Sequence, residues 1–210
     1  IQVPNKITYQ KMGFFVGKLH AYAESFLPNT GFVAKHWDYD GIISVGGLTS
    51  VNEYADRAQL SIIERSILTE AADKFYDITL KMGMNAKIFG LIHADLHYHN
   101  FINNHGALAA IDFDSFGWGY YLYDVATSLS KYDDIADFYK SLKYFLEGYR
   151  QVREFSSDEV LLIQDFLCVS LLAYTLWYIG LFHLPQFSAR DRIKNSLSKL
   201  RYILKNPLVV

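Results

Sequence analysis

Apolar residues at Met12, Phe15, Leu19 and Tyr22 recur every three or four positions, which predicts an amphipathic helix over 9–26. The same period returns at Leu60, Ile63, Ile67, Ala71, Phe75 and Ile78 and predicts a second helix over about 52–82, stopping at Gly83. Further helices are expected over 120–131, 134–150, 157–183 and 188–204, and Ser156 with Glu159 has the spacing of a capping box opening the helix at 157. Between the first two helices, 27–50 carries Pro28, Gly31, Gly41, Gly46 and Gly47 and reads as a long connecting loop. The helical period breaks at "NFIN" (100–103) and "ALAAID" (107–112), two short apolar runs separated by "NHG", Asn104 to Gly106. Asn and Gly tolerate the positive φ angles of a tight turn, so these runs predict a β-hairpin. The expected fold class is α+β, mainly α, with helices around one small hairpin and a single unit over 1–210.

One segment tests that picture. Residues 166–184, "FLCVSLLAYTLWYIGLFHL", hold no Asp, Glu, Lys or Arg over 19 positions, a length that just reaches across a bilayer. Ser170, Thr175, Gly180 and His183 dilute it, and its aromatic residues lie mid-segment instead of only at the ends. A helix buried centrally in a helical lobe is the expected reading, with no membrane partner.

Composition narrows the class. With 51% hydrophobic and 16% aromatic residues, a disordered or fibrous chain is excluded. A net charge of −2 and the lack of any Lys/Arg run give no case for a nucleic-acid partner. The single cysteine, Cys168, has no intramolecular disulfide partner, which fits a reducing, cytoplasmic setting. The opening "IQVPNKITYQ" lacks the basic start and apolar core of a signal peptide.

The candidate chemistry sits in "HADLHYHN", residues 93–100. Read as a strand, it places His93, Asp95, His97 and His99 on one face, as a metal-dependent hydrolase would need for zinc or iron. Leu96 and Tyr98 would then form the other face, and "IDFD" (111–114) would be left without a role. Read as a loop, it places Asp95 five residues before Asn100, with Asp112 a dozen residues further on after the hairpin. Phosphoryl transfer needs a carboxylate to orient or deprotonate the attacking hydroxyl, and hard oxygen donors for magnesium. Asp95, Asn100 and Asp112 supply those residue types at kinase-like spacings.

These residues resemble the aminoglycoside phosphotransferase and choline kinase superfamily, which shares the protein-kinase fold. The family loop His-Gly-Asp-Leu-His-x-x-Asn is matched by "HADLHYHN", with Ala94 in the glycine position. The family's Ile-Asp-Phe-Asp is matched by "IDFD", and its Tyr-Asp-(Leu/Val)-Ala by the end of "GWGYYLYDVA" (117–126). The stretch "MGFFVGKLHAYAESF" (12–26) looks like the helix that follows the inter-lobe hinge. The resemblance implies a C-terminal lobe with Asp95 as catalytic base, and with Asn100 and Asp112 binding Mg2+ in the presence of the co-substrate ATP. It implies that Asp114 supports Asp112 or binds a second ion. His93 would brace the loop, and His97 would either contact the transferred phosphate or serve as a structural donor. Asp124 is expected to cap the helix that begins near it.

The resemblance also implies a small-molecule hydroxyl acceptor, of aminoglycoside, choline, ethanolamine or hydroxy-amino-acid type. Tyr174, Trp177 and Tyr178 are candidate substrate-binding rings, suited to a quaternary ammonium, and equally suited to filling a helical core. Asp133, Asp134 and Asp137 are candidate carboxylates for a polycationic acceptor, or a solvated helix start. No glycine-rich phosphate loop followed by a strand lysine precedes residue 12, so the N-terminal nucleotide-binding lobe is expected to be missing from this chain and the isolated lobe inactive. A non-catalytic, kinase-like binding module is the alternative.

Overall fold

A computed structural model describes residues 4–43, 58–104, 107–130, 135–181 and 189–206. The chain divides into two compact units, Ile1–Lys35 with Met84–Ile163, and His36–Gly83 with Gln164–Val210. The tip of the predicted hairpin at 105–106, together with Asp133, Asp134 and His183, lies outside the described residues.

In the first unit, helix α1 (Lys6–Glu24) begins where the Asn5 side chain accepts a hydrogen bond from the Thr8 amide at 3.0 Å. Its buried face differs from the stripe read off the sequence. Tyr22 is 68% exposed, and the packed positions are Tyr9, Met12, Gly13, Val16, Gly17, His20 and Ala23. The reason is the neighbour, helix α5 (Ile135–Tyr149), which crosses α1 at backbone distance. A Cβ on Gly13 would stand 1.9 Å from the Phe145 carbonyl oxygen, and one on Gly148 would stand 1.8 Å from that of Gln10. Small residues form this seam because two backbones meet there, and apolar periodicity does not register small residues.

Strand β2 (Phe89–Ile92) pairs antiparallel with β5 (Gly117–Tyr120), from Phe89 opposite Tyr120 to Ile92 opposite Gly117. Lys35, the first residue of β1 (Lys35–Trp37), flanks β5 on its other edge. The hairpin predicted from the sequence forms as β3 (Phe101–Asn104) and β4 (Ala107–Ala110), paired antiparallel from Phe101 opposite Ala110. Helix α4 (Tyr121–Ser128) follows β5 directly and is buried along its whole length.

In the second unit lie α2 (Tyr39–Ile43), α3 (Ile62–Met82), most of α6 (Ser157–Gly180) and α7 (Ala189–Lys205). A reciprocal capping box between Ser61 and Glu64 opens α3, and Gly83, at φ 61°, closes it where expected. The expected box between Ser156 and Glu159 also forms, at 2.8 and 3.1 Å. Helix α6 is the one described helix long and apolar enough to cross a membrane, and 61% of its apolar window is buried within the protein. Phe75 of α3 meets Phe166 of α6 edge to face at 6.4 Å, and Lys74 pairs with Asp165 at 2.6 Å. Cys168 is buried in this core, and burial pushes its thiol up to about 12.

Replacing Gly148 by Ala is expected to destabilise the protein by about 2 kcal/mol or more, because the new methyl meets backbone that cannot step aside. Urea denaturation checks this; a midpoint equal to wild type would mean that α1 and α5 do not cross this closely.

Candidate active site

The candidate loop is not a strand. After β2, residues 93–97 turn through irregular backbone, and Tyr98–Asn100 form one turn of 3-10 helix that runs into β3. The alternation of His93, Asp95, His97 and His99 therefore does not line one face. His93 is buried, while His99 is exposed and packs against the Tyr98 ring at 4.1 Å. Among the described residues, no group of three or more His, Cys, Asp or Glu side chains gathers as a metal site.

The loop is pinned at both ends. Nε2 of His93 lies 3.0 Å from the Ile111 carbonyl oxygen, and the Asp95 amide points at Nδ1 at 3.4 Å. One tautomer satisfies both contacts, with the proton on Nε2 donating to Ile111 and Nδ1 accepting from Asp95. The ring also packs against Phe113 at 4.5 Å. At the far end, Asn100 Nδ2 donates to the Asp95 carbonyl at 2.8 Å and to its carboxylate at 3.3 Å. This leaves the Asn100 side-chain oxygen as the atom for another partner. The Ile111 amide donates to the Asn100 carbonyl at 2.9 Å, extending the hairpin ladder by one pair. The hairpin therefore brings Asn100 across from Ile111, one residue before Asp112. Asp112 itself is exposed and left-handed, at φ 65° and ψ 64°.

Beneath the loop, the Asp124 carboxylate accepts from the His93 amide at 3.1 Å and from the Ala94 amide at 2.8 Å. Asp124 lies in the first turn of α4, whose N-cap is Tyr120, but its carboxylate is taken by the loop and does not cap its own helix as the sequence reading expected. It holds the loop backbone instead. Ala94 needs that hold, because its φ of 65° is a conformation that costs a residue with a Cβ about 1–2 kcal/mol.

The third partner of Asp124 is His20 of α1, whose Nε2 lies 3.3 Å from the carboxylate, both side chains being fully buried. Burial lowers the His20 pKa, against the pull of Asp124. Burial alone would raise the Asp124 carboxyl, but the hydrogen bond from His20 and the nearby His20 and His93 rings and His93 amide outweigh it, and its pKa falls. The pair is best described as a neutral imidazole donating to a carboxylate. No sequence motif in the 93–126 region pointed to His20; only the Leu-His of its helix, at 19–20, carried the signal.

His97 lies beside Asp95, with Nε2 at 3.7 Å from Oδ1. The Asp114 side chain is exposed, and its carbonyl oxygen accepts from Lys35 Nζ at 2.6 Å. Tyr174, Trp177 and Tyr178 belong to the other unit, on α6. Trp177 is half exposed, whereas a face of the Tyr178 ring already carries the Arg192 guanidinium at 5.5 Å.

The chain matches the phosphotransferase enzyme family over residues 6–155. It is similar to amicoumacin kinase of Bacillus subtilis (strain 168), at 27% identity over 189 residues, covering 85% of this chain and 52% of that protein. A solved amicoumacin kinase in complex with AMP-PNP, Ca2+ and Ami superposes with a TM-score of 0.74 at 23% identity, over 97% of this chain and 60% of that one. A microcompartment-associated aminopropanol kinase gives a TM-score of 0.76 at 22% identity, over 95% and 61%. A choline/ethanolamine kinase family protein from Mesorhizobium loti gives 0.69 at 14% identity, over 95% and 62%. The chain thus spans about half the length of the curated relative and about three fifths of these structures.

Acid should loosen the His20–Asp124 pair. Because the folded His20 pKa is below its ordinary 6.5, the unfolded state takes up a proton first, and stability is lost as pH falls below 6.5. The lowered Asp124 adds a second loss only below about pH 4. Urea denaturation from pH 7.5 to 4.5 should show stability declining below pH 6.5, the His20 share being no steeper than the one-proton limit of about 1.4 kcal/mol per pH unit. That share should vanish in His20→Gln; equal slopes in the two proteins would contradict the neutral assignment. With a kinase-like lobe of mainly helical α+β architecture and a family match across most of its length, this chain belongs to the phosphotransferase enzyme family.

Proposed function

We propose that this chain is the C-terminal lobe of an ATP- and magnesium-dependent O-phosphotransferase acting on the hydroxyl of a small molecule. The observation that carries the reading is the joining of Asp95, Asn100 and Asp112 by one loop and one hairpin, over a carboxylate buried beneath the loop.

Asp95 is the group that meets the acceptor. It is part-exposed, its carboxylate accepts from Asn100, and its position is set by the backbone bonds at His93 and Ala94. The acceptor hydroxyl donates its proton toward Asp95, and the oxygen attacks the terminal phosphorus of ATP. The new phosphorus–oxygen bond forms as the bond to the ADP oxygen breaks, and the proton leaves through Asp95. The Asn100 side-chain oxygen and the Asp112 carboxylate are hard donors of the kind Mg2+ prefers, and the Asn100 nitrogen is already spent on Asp95. These two residues would hold the ion, which neutralises phosphate charge when bound. Asp114 would support Asp112 or a second ion, and His97, beside Asp95, would contact the transferred phosphate or serve as a structural donor. Sequence outside these residues supplies the nucleotide-gripping lobe, so residues 1–210 alone are expected to turn over little. The reduced, buried Cys168 fits a cytoplasmic protein.

Two of the similar structures are named for aminopropanol and for choline or ethanolamine, molecules that pair a hydroxyl with an amine or a quaternary ammonium. The acceptor proposed here is of that broad class, with aminoglycosides and hydroxy-amino acids as the other candidates. The test follows ADP release from Mg–ATP by the longest natural chain containing this segment. Acceptors would include aminoglycosides, amicoumacin, aminopropanol, choline, ethanolamine and hydroxy-amino acids. Asp95→Ala is expected to cut acceptor-dependent release by about 10^2- to 10^4-fold while leaving the melting temperature near wild type. Full activity in that variant would remove Asp95 from the mechanism. ATP binding without release for any acceptor would favour a kinase-like binding module.

A further inference from the structure

The bond between His20 and Asp124 is the inner end of a longer chain. Nδ1 of His20 lies 2.9 Å from the Tyr149 hydroxyl, at the last residue of α5. Arg153 Nη1 donates to that same hydroxyl at 2.9 Å. A guanidinium cannot accept, so the hydroxyl proton is directed to His20 Nδ1. The imidazole proton must then sit on Nε2, the nitrogen that faces Asp124. In the reverse tautomer a nitrogen lone pair would face the carboxylate and the Tyr149 proton would lose its acceptor, a costly arrangement in a dry interior. Burial pushes the Tyr149 phenol up, so the hydroxyl keeps the proton it donates.

Arg153 is itself held from several directions. Its Nε pairs with Glu24, the last residue of α1, at 2.6 Å, and its Nη1 lies 3.5 Å from Glu159. Its Nη2 donates to the Lys87 carbonyl, two residues before β2 and thus just upstream of the loop. The guanidinium also lies 4.8 Å from the centre of the Tyr121 ring, which stacks on His20 at 4.6 Å. One side chain therefore ties the end of α1, the end of α5, the start of α4 and the approach to β2.

We propose that Tyr149 and Arg153 are positioning residues for the Asp95 loop, acting by fixing the tautomer of His20 and, through it, the Asp124 carboxylate that holds the His93 and Ala94 amides. The proposal rests on the phosphotransfer reading of Asp95. Neither residue touches a reacting group; each acts through the next link of the chain.

The test uses the longest natural chain with 15N-labelled histidine and backbone amides. Imidazole 15N shifts identify which nitrogen of wild-type His20 carries the proton, and Nε2–H is expected. Tyr149→Phe keeps the ring but removes the hydroxyl. It is expected to mix the two tautomers and to speed hydrogen exchange at the His93 and Ala94 amides about tenfold, while the slowest amides of α5 stay slow. With Mg–ATP and water as acceptor, kcat should fall roughly 10- to 100-fold, as when an orienting partner is lost, with KM for Mg–ATP unchanged. Arg153→Lys should retain more of that rate than Arg153→Met. A wild-type Nδ1–H tautomer would overturn the proposal, as would unchanged exchange at His93 and Ala94 in Tyr149→Phe. If the wild type releases ADP from Mg–ATP neither with water nor with any acceptor of the panel above, the phosphotransfer reading is what fails, and the tautomer and exchange results still decide whether the chain of hydrogen bonds holds the loop.

Discussion

A single buried carboxylate organises this site. Asp124 accepts from two successive backbone amides of the loop and from His20, so a charge that would be costly in the interior is met by three donors. The exchange is two-sided. The amides at 93 and 94 stabilise the anion, and the anion holds Ala94 in a left-handed turn that its Cβ disfavours. That turn directs the chain from β2 toward Asp95. Without the carboxylate, the loop would lose its anchor to α4 and the strained turn its reason to persist.

The helices exist, from the site's point of view, to deliver partners to that carboxylate. Helix α4 carries Asp124 straight out of β5, and β5 pairs with β2, which leads into the loop, so both ends of the contact are tied to one pair of strands. Helix α1 brings His20 from the other side, and it comes close enough because Gly13 and Gly148 let α1 and α5 meet at backbone distance. The hairpin does the remaining work by returning the chain from Asn100 to Asp112 through paired strands. The position of Asp95 is therefore set by packing well away from it.

Much of this was legible in the residues. The pattern of Asp95, Asn100 and Asp112 around a hairpin is a matter of spacing, and spacing survives in a sequence. Helices α3, α5, α6 and α7 announce themselves by period or by caps such as Ser156 with Glu159. Strands β2 and β5 escape a sequence reading because no turn joins them, the loop and the hairpin lying between, and "GWGY" looks like a turn until Tyr120 is seen opposite Phe89. The face of α1 was misplaced toward Tyr22 because its real seam is built from Gly13, Gly17 and His20, which carry little hydrophobic signal. Asp124 was read as a helix cap because a carboxylate near a helix start usually is one. Its true partners are some 30 residues away in sequence, and such a contact leaves no local trace.

If Asp95, Asn100 and Asp112 form one site for a metal–nucleotide complex, as proposed above, a paramagnetic ion bound there must relax all three. Paramagnetic relaxation tests it most directly. Mn2+–ATP would be titrated into the longest natural chain containing this segment, with 13C and 15N labels on Asn and Asp side chains. Selective broadening of the Asn100, Asp112 and Asp95 side-chain signals, reversed by excess Mg2+, is expected. Broadening that spares those three residues and falls elsewhere on the chain would contradict it.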